Sequence, residues 1–149
     1  MLEPVRPSDV PDITHFLRGA DLTIAGLDAP EVRLWVRRDA AGIAASAGFE
    51  LSADGRHALV RSTAVRPDLR GQGAGLAAAA FAVDRARDAG AGTAWLFSRR
   101  SGPFWQRLGF TRSTTEALAA ALPDAEQVRL FRRTGQLDVE VAWRLPLRG

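Results

Sequence analysis

Six residues in a row, Arg70-Gly71-Gln72-Gly73-Ala74-Gly75, stand between an apolar run and an alanine-rich one. They suit chemistry done by the main chain. The first turn of a helix has N–H groups without partners, and its dipole adds partial positive charge. Glycines let a phosphate come close to such a backbone. The stretch Val65 to Gly75, V-R-P-D-L-R-G-Q-G-A-G, therefore reads as an anion site for the pyrophosphate of a large cofactor. Three phosphate-loop patterns compete for it. The dinucleotide fingerprint G-x-G-x-x-G fits Gly71 and Gly73 and fails at Leu76; a Walker loop needs a Lys, and the chain has none. The remaining pattern, R-x-x-G-x-G, is met by Arg70, Gly73 and Gly75. Standing alone, such a turn is also what a tight connection looks like.

A second constellation is a carboxylate and a guanidinium, Glu50 and Arg61, on neighbouring strands of an expected hairpin. Glu50 is the candidate base. Strand alternation puts Leu59, Arg61, Thr63 and Val65 on one face. Arg61 reads two ways, as a structural partner of Glu50 or as a bidentate clamp for a substrate oxyanion. Arg33, Arg37 and Arg99 read as surface charge, and His15 and His57 as structural residues.

The elements that must position these groups follow from periodicity. Leu2 to Arg6 is a short strand. Ser8 is a helix N-cap, and Ile13, Phe16, Leu17 and Ala20 form the apolar face of that helix. Asp21 to Glu31 is irregular yet apolar, and is read as a short helix covering a cleft. Val32–Arg38 and Ile43–Leu51 form a hairpin, and Ala58–Val65 is a buried central strand. The long helix runs from Leu76 to Ala89, with Leu76 and Val83 on its core face and Gly90 closing it. Thr93–Ser98 is a strand parallel to Ala58–Val65. A short helix from Gly102 to Leu108, an extended piece from Phe110, and helices at Thr114–Leu122 and Ala125–Arg133 follow. Leu137, Val139, Val141, Trp143 and Leu145 alternate with polar residues as a final strand, which is read as able to pair with a copy of itself in a homodimer. The expected fold is one α/β (α+β) domain over residues 1–149, with a mixed sheet and helices on both faces.

Composition narrows the function. The chain has 149 residues, 46% apolar and 25% charged. It has no Cys, which excludes a disulfide framework, a thiolate metal site and a cysteine nucleophile; with two His, no metal is expected. All 20 basic residues are Arg, scattered among acids to a net charge of +3, so nucleic acid is not the expected partner. No run approaches a membrane span, and Met1-Leu2-Glu3-Pro4 does not open a secretory signal, so a cytoplasmic location is expected.

The strand end, R-x-x-G-x-G, the following helix and F-W-Q-R-L-G-F (Phe104 to Phe110) together resemble the GNAT superfamily of acetyl-CoA-dependent N-acetyltransferases. More narrowly, L-V-R-S-T-A-V (Leu59 to Val65), G-F-E-L (Gly48 to Leu51) and the aromatic pair before L-G-F resemble an arsenic-resistance-associated subgroup. That subgroup is associated with small amino acids bearing an arsenic or phosphorus oxyanion. It often has a Cys-containing segment near the C-terminus; here the segment is Gly135-Gln136-Leu137-Asp138-Val139, without Cys.

The resemblance implies a GNAT-like, mostly antiparallel sheet with one splayed parallel pair. It implies that the amides of Gly71, Gln72, Gly73, Ala74 and Gly75 hold the CoA pyrophosphate beside Arg70. Thr63, Ala64 and Val65 would pair with the pantetheine arm. Ser98 stands where many relatives have an Asn, and Trp105, next to Phe104, where many have a proton-donating Tyr. The chain has no Tyr, so Ser101 or a water takes that place. The implied reaction is attack of a small, acidic amine on acetyl-CoA. A peptide or protein acceptor, and a non-catalytic acyl-CoA-binding module, are the competing readings.

Overall fold

A computed structural model of the protein describes residues 1–147. Its sheet grows from the hairpin. In β2 (Val32–Asp39), buried Val32, Leu34 and Val36 alternate with more exposed residues. The turn is closed by the Ala41 N–H donating to Asp39 Oδ1 at 2.9 Å, and by Gly42 at φ +117°. β3 (Gly42–Leu51) is buried almost throughout, because both its faces are covered. It pairs with β4 (His57–Val65) in the register Glu50↔Leu59 and Gly48↔Arg61.

Seven strands form one sheet in the order β1-β2-β3-β4-β5-β7-β6. The other members are β1 (Glu3–Pro4), β5 (Thr93–Phe97), β6 (Thr111–Ser113) and β7 (Ala142–Pro146). All pairs are antiparallel except β4 with β5. That parallel pair is made by the crossover through α2 (Ala74–Asp88). Ala78, Ala79, Ala82 and Ala86 of α2 lie against Ala47, Phe49, Ala58 and Val60 in one buried cluster. Small side chains let this helix approach the sheet closely. On the opposite face, α1 (Val10–Gly19) sets Ile13 and Leu17 over Leu34 and Val36. Beside it, α4 (Thr115–Ala121) and α5 (Glu126–Thr134) cover Leu59 and Trp95 with Leu118, Leu122 and Val128. The short α3 (Gly102–Arg107) follows β5. No helix among the described residues is long and apolar enough to cross a membrane.

Several expectations are corrected. Ser8 does not cap α1; the preceding turn is held by Asp9, whose carboxylate accepts from the Arg6 N–H at 2.9 Å and Arg38 Nη2 at 2.7 Å. Asp21 to Glu31 forms no helix but a chain of turns, with Asp21 and Gly26 at positive φ. Leu76 is 46% exposed in the first turn of α2, whose buried face is Ala78, Ala79, Ala82, Val83 and Ala86. The last strand starts only at Ala142, since Gly135 at φ +78° ends α5 and Gln136–Asp138 form a 3-10 turn, leaving Val139 at 62% exposure. This strand is also not a free edge. β7 lies between β5 and β6 and bonds to both, so the expected self-pairing through it has no open ladder.

Gly48 sits where β2, β3 and β4 come closest. A Cβ there would lie 2.5 Å from Leu34 Cδ2 and 2.8 Å from the Arg33 carbonyl oxygen. Gly48→Val is expected to destabilise the protein by at least about 1–3 kcal/mol through overpacking against backbone, read as a fall in the urea midpoint.

Candidate active site

β4 and β5 pair only over His57–Leu59 with Thr93–Trp95. Beyond that they separate, and a cleft of about 650 Å³ opens between them. A bulge makes β4 uneven. Ser62 takes φ +58°, the register with β3 shifts between Ser46 and Gly48, and Ser46 Oγ donates to the Ser62 carbonyl at 2.6 Å. Simple alternation therefore fails. Leu59 and Arg61 share the α5 side of the sheet, but the extra residue puts Ala64 opposite Ser46 on that side and turns Val65 toward Gly75 at the start of α2. The expected single face of Leu59, Arg61, Thr63 and Val65 does not exist. Arg61, Ser62, Thr63, Ala64 and Val65 nevertheless all line the cleft, because it wraps the end of the strand.

One half of the cleft is backbone. Arg66, just after β4, bonds both oxygens of Asp39 at 2.9 and 2.6 Å and reaches Asp68 Oδ1 at 2.7 Å. This ties the turn to the β2–β3 hairpin. The Arg66 hydrogen bond holds the Asp39 carboxyl down at about 2. Gly71 and Gly73 both take φ +82°, a conformation costly for other residues. The Ala77 N–H donates to the Gly73 carbonyl at 3.0 Å, the first such bond of α2. The amides from Gly71 to Leu76 have no such acceptor among the described residues, as a helix start requires. Arg70 and Gly75 line the cleft; Gly71, Gln72 and Gly73 are exposed and Ala74 is half-buried beside them.

The wall facing this turn comes from β5 and α3. Ser98 is fixed by its main chain: its N–H donates to the Val141 carbonyl at 2.9 Å, and its carbonyl accepts from Trp143 Nε1 at 2.9 Å. Its hydroxyl accepts from the Ser101 N–H at 3.1 Å. Ser101 is exposed at the rim, with its own hydroxyl making no capping bond to α3. Phe104 and Trp105 line the cleft in an edge-to-face pair 5.0 Å apart, and Trp105 meets Phe110 edge-to-face at 5.5 Å. Trp105 thus serves the core and the cleft together.

The other half is held by a buried ion pair. Arg61 Nη1 lies 3.4 Å from Glu50 Oε2, with the two side chains 0% and 2% exposed. Glu50 Oε1 accepts from the Glu126 N–H at 2.6 Å, where α5 begins. Arg61 Nε donates to Ser62 Oγ at 3.3 Å, and Arg61 Nη2 is buried without a partner. Burial pushes the Glu50 carboxyl above its ordinary value and the Arg61 guanidinium below its own. Arg61 lines the cleft, and Glu50 does not. The residue expected as a base, Glu50, lies behind Arg61, with one oxygen accepting from the α5 amide.

Sequence reasoning missed four residues around this half. Thr23, Arg100 and Gln127 line the cleft, and Glu140 lines its outer extension with Thr23 and Gln127. Gln127 Nε2 donates to Thr23 Oγ1 at 2.8 Å, and Glu140 is held by Gln136 at 2.7 Å and Arg99 at 3.3 Å. The one sequence signal was the apolar segment 21–31, read as cover for a cleft. Its partner on α5 was not legible. No cluster of three or more metal-ligating acid, His or Cys side chains occurs among the described residues.

Residues 4–110 match the model of the acetyltransferase (GNAT) family. Among solved structures, the chain is similar to N-acetylglutamate synthase from Neisseria gonorrhoeae complexed with coenzyme A and N-acetyl-glutamate, at 15% identity and TM-score 0.76. That match covers 100% of this chain and 35% of the synthase, so the chain spans about a third of its length. Rv2747 from Mycobacterium tuberculosis, in complex with CoA and NLQ, matches at 19% identity and TM-score 0.75 over 99% of both chains. An acetyltransferase of the GNAT family from Staphylococcus aureus MU50 matches at 12% identity and TM-score 0.73, also over 99% of both. At these identities the likeness carries the fold: a mostly antiparallel sheet with one parallel pair. No curated protein matches. The comparisons carry the family and not the arsenic-resistance-associated subgroup.

Two outcomes follow from the tethers. Glu50→Ala leaves Arg61 buried and unpaired, and is expected to cost about 3–5 kcal/mol in urea denaturation. Glu50→Gln keeps an oxygen for the Glu126 N–H and is expected to cost less. Asp39 titrates below its unfolded value, so the stability it lends is complete above about pH 4. It is lost as pH falls through about 2. A carboxyl NMR titration of Asp39 with a midpoint near 4 would remove the tether from the description.

Proposed function

The chain belongs to the GNAT acetyltransferase family, and on that premise we propose that it moves an acetyl group from acetyl-CoA to the amine of a small, acidic, amino-acid-like acceptor. Transfer is by direct attack in a ternary complex. The observation that carries the acceptor class is Arg61 Nη2, a buried cationic donor without a partner on the wall of the cleft. An acceptor oxyanion satisfies it, and the resulting charge-assisted bond is of the strong kind. The gonococcal synthase solved with coenzyme A and N-acetyl-glutamate supports the same reading.

The residues present fit acetyl-CoA, which supplies an acetyl group activated as a thioester. The uncommitted amides from Gly71 through Gln72, Gly73 and Ala74 to Gly75 hold the pyrophosphate, with Arg70 beside them. Past Leu59, the β5-facing edge of β4 has no strand partner. Thr63, Ala64 and Val65 there accept the pantetheine arm as an added strand, and a main-chain N–H near Val65 faces the charge that develops during transfer. Ser98, Phe104 and Trp105 form the opposite wall.

Among the described residues no carboxylate lines the main cleft, and Asp21 and Glu140 line only its outer extension. The acceptor's proton leaves to water. Arg61 and the strand edges contribute by alignment, which is worth more than the roughly 10²–10⁴-fold of general acid–base help. The Ser101 hydroxyl, at the rim, is the group that holds a proton for the departing thiol in place of the missing Tyr. Leu22 and Thr23 also line the cleft, which favours a compact acceptor over a peptide.

Acetyl transfer to a panel of acidic amino acids, their phosphinic and arsenical analogues, neutral amines and peptide N-termini tests the proposal. Acidic amines are expected to lead in kcat/KM, and Arg61→Leu to lose at least about tenfold of that lead, or about 1.4 kcal/mol. Turnover on peptides with none on acidic amines would sink the acceptor class. Binding of CoA without any transfer would favour a regulatory module. Gly73→Glu is expected to weaken CoA binding at least about tenfold in calorimetry. Gly73→Asn, which tolerates positive φ, serves as the backbone control.

A further inference from the structure

Three buried side-chain polar atoms lack a partner among the described residues: Arg61 Nη2, Gln127 Oε1 and Arg87 Nε. Arg87 lies on α2, on the far face of the sheet. The other two belong to residues that line the same cleft. They are chemically opposite. Nη2 is a cationic donor and Oε1 a neutral acceptor. Buried polar groups in folded proteins are normally satisfied, so this complementary pair in one cavity asks for a ligand that is complementary to both.

Both residues are also tied to one anchor. Gln127 directly follows Glu126, whose N–H is held by Glu50 Oε1 at 2.6 Å; the same carboxylate holds Arg61 Nη1 at 3.4 Å. One buried carboxylate therefore anchors Arg61 directly and Gln127 through the residue before it. The far end of the Gln127 amide is occupied, since Nε2 donates to Thr23 Oγ1 at 2.8 Å. That leaves Oε1 as its unused end.

We propose that Gln127 Oε1 accepts a hydrogen bond from the acceptor's amine while Arg61 Nη2 holds its acid group, so that the cleft selects a molecule carrying both. This rests on the acceptor reading above and adds a positioning residue that discriminates an amino acid from the corresponding plain acid. A neutral carbonyl suits this task. It orients the amine's N–H without stabilising the ammonium form as strongly as a carboxylate would, and the neutral amine is the form that attacks.

The probes are L-glutamate and glutarate, which share both acid groups and differ in the amine, titrated calorimetrically into the intact protein saturated with CoA. Wild type is expected to bind L-glutamate at least about tenfold more tightly than glutarate, a difference of about 1.4 kcal/mol. Gln127→Leu is expected to erase that ratio and leave glutarate binding within about twofold. Gln127→Glu, which keeps an acceptor oxygen, is expected to restore the ratio, and Arg61→Leu to weaken both ligands. If Gln127 only ties the 21–31 segment to α5, Gln127→Leu weakens both ligands alike and lowers the melting temperature; that result overturns the inference. A wild type without preference for L-glutamate overturns it as well. The parent reading is judged separately, by acetyl transfer to the acidic-amine panel: turnover there alongside an unchanged ratio in Gln127→Leu removes the role of Gln127 alone.

Discussion

The Glu50 carboxylate is the fixed point of this molecule. It is 2% exposed, and its two oxygens go to two different parts of the fold. One faces Arg61 on the next strand, and the other receives the first amide of α5. A carboxylate at a helix N-terminus gains from the helix dipole as well as from the hydrogen bond. That gain and the neighbouring guanidinium oppose the burial cost, and burial still raises its pKa. A buried pair of this kind contributes little net stability against an apolar replacement. What it supplies is placement. Arg61 is pinned beside the cleft, and α5 is pinned across from it.

The rest of the acceptor side is hung on that placement. Gly26 lies against Glu126 so closely that an added Cβ would come within 2.8 Å of the Glu126 Cβ, and Thr23 bonds Gln127 in the next position of α5. The irregular segment from 21 to 31 is thus stitched to the first turn of α5 rather than folded into a helix of its own. Its conformation follows from its partner.

The other side of the cleft depends on two backbone irregularities. β4 leaves β5 after three paired residues, and Ser62 bulges at φ +58°. Splaying exposes a strand edge in the middle of a sheet, a position where edges are normally covered. The bulge turns the end of β4 toward Gly75 at the start of α2. The alanine face of α2 then holds the turn close to the sheet. Arg61 and the strand end that meets the glycine turn are therefore parts of one strand, before and after its bulge.

Much of this was legible from residue types. The glycine turn between Val65 and Gly75, the parallel crossover and the hairpin Val32–Leu51 all rest on local rules of periodicity and backbone freedom, and each stands in the structure. The pairing of Glu50 with Arg61 was also legible, because diagonal neighbours on one face of adjacent antiparallel strands come within reach of long side chains. Four things were not. The bulge at Ser62 has no signature in a non-glycine residue, so strand alternation was carried one residue too far. β7 was taken for an edge because insertion between β5 and β6 is a long-range event. The burial of Glu50 is not visible from its type. Gln127 is not legible as a cleft-lining residue, since a glutamine on an amphipathic helix gets its surroundings only from what the helix is packed against. The sequence by itself thus determined the glycine-turn side of the cleft, which is main chain and needs only local conformation. The Arg61 side was decided by tertiary structure, because there side chains from β3, β4, α5 and the 21–31 segment meet only once the sheet is assembled.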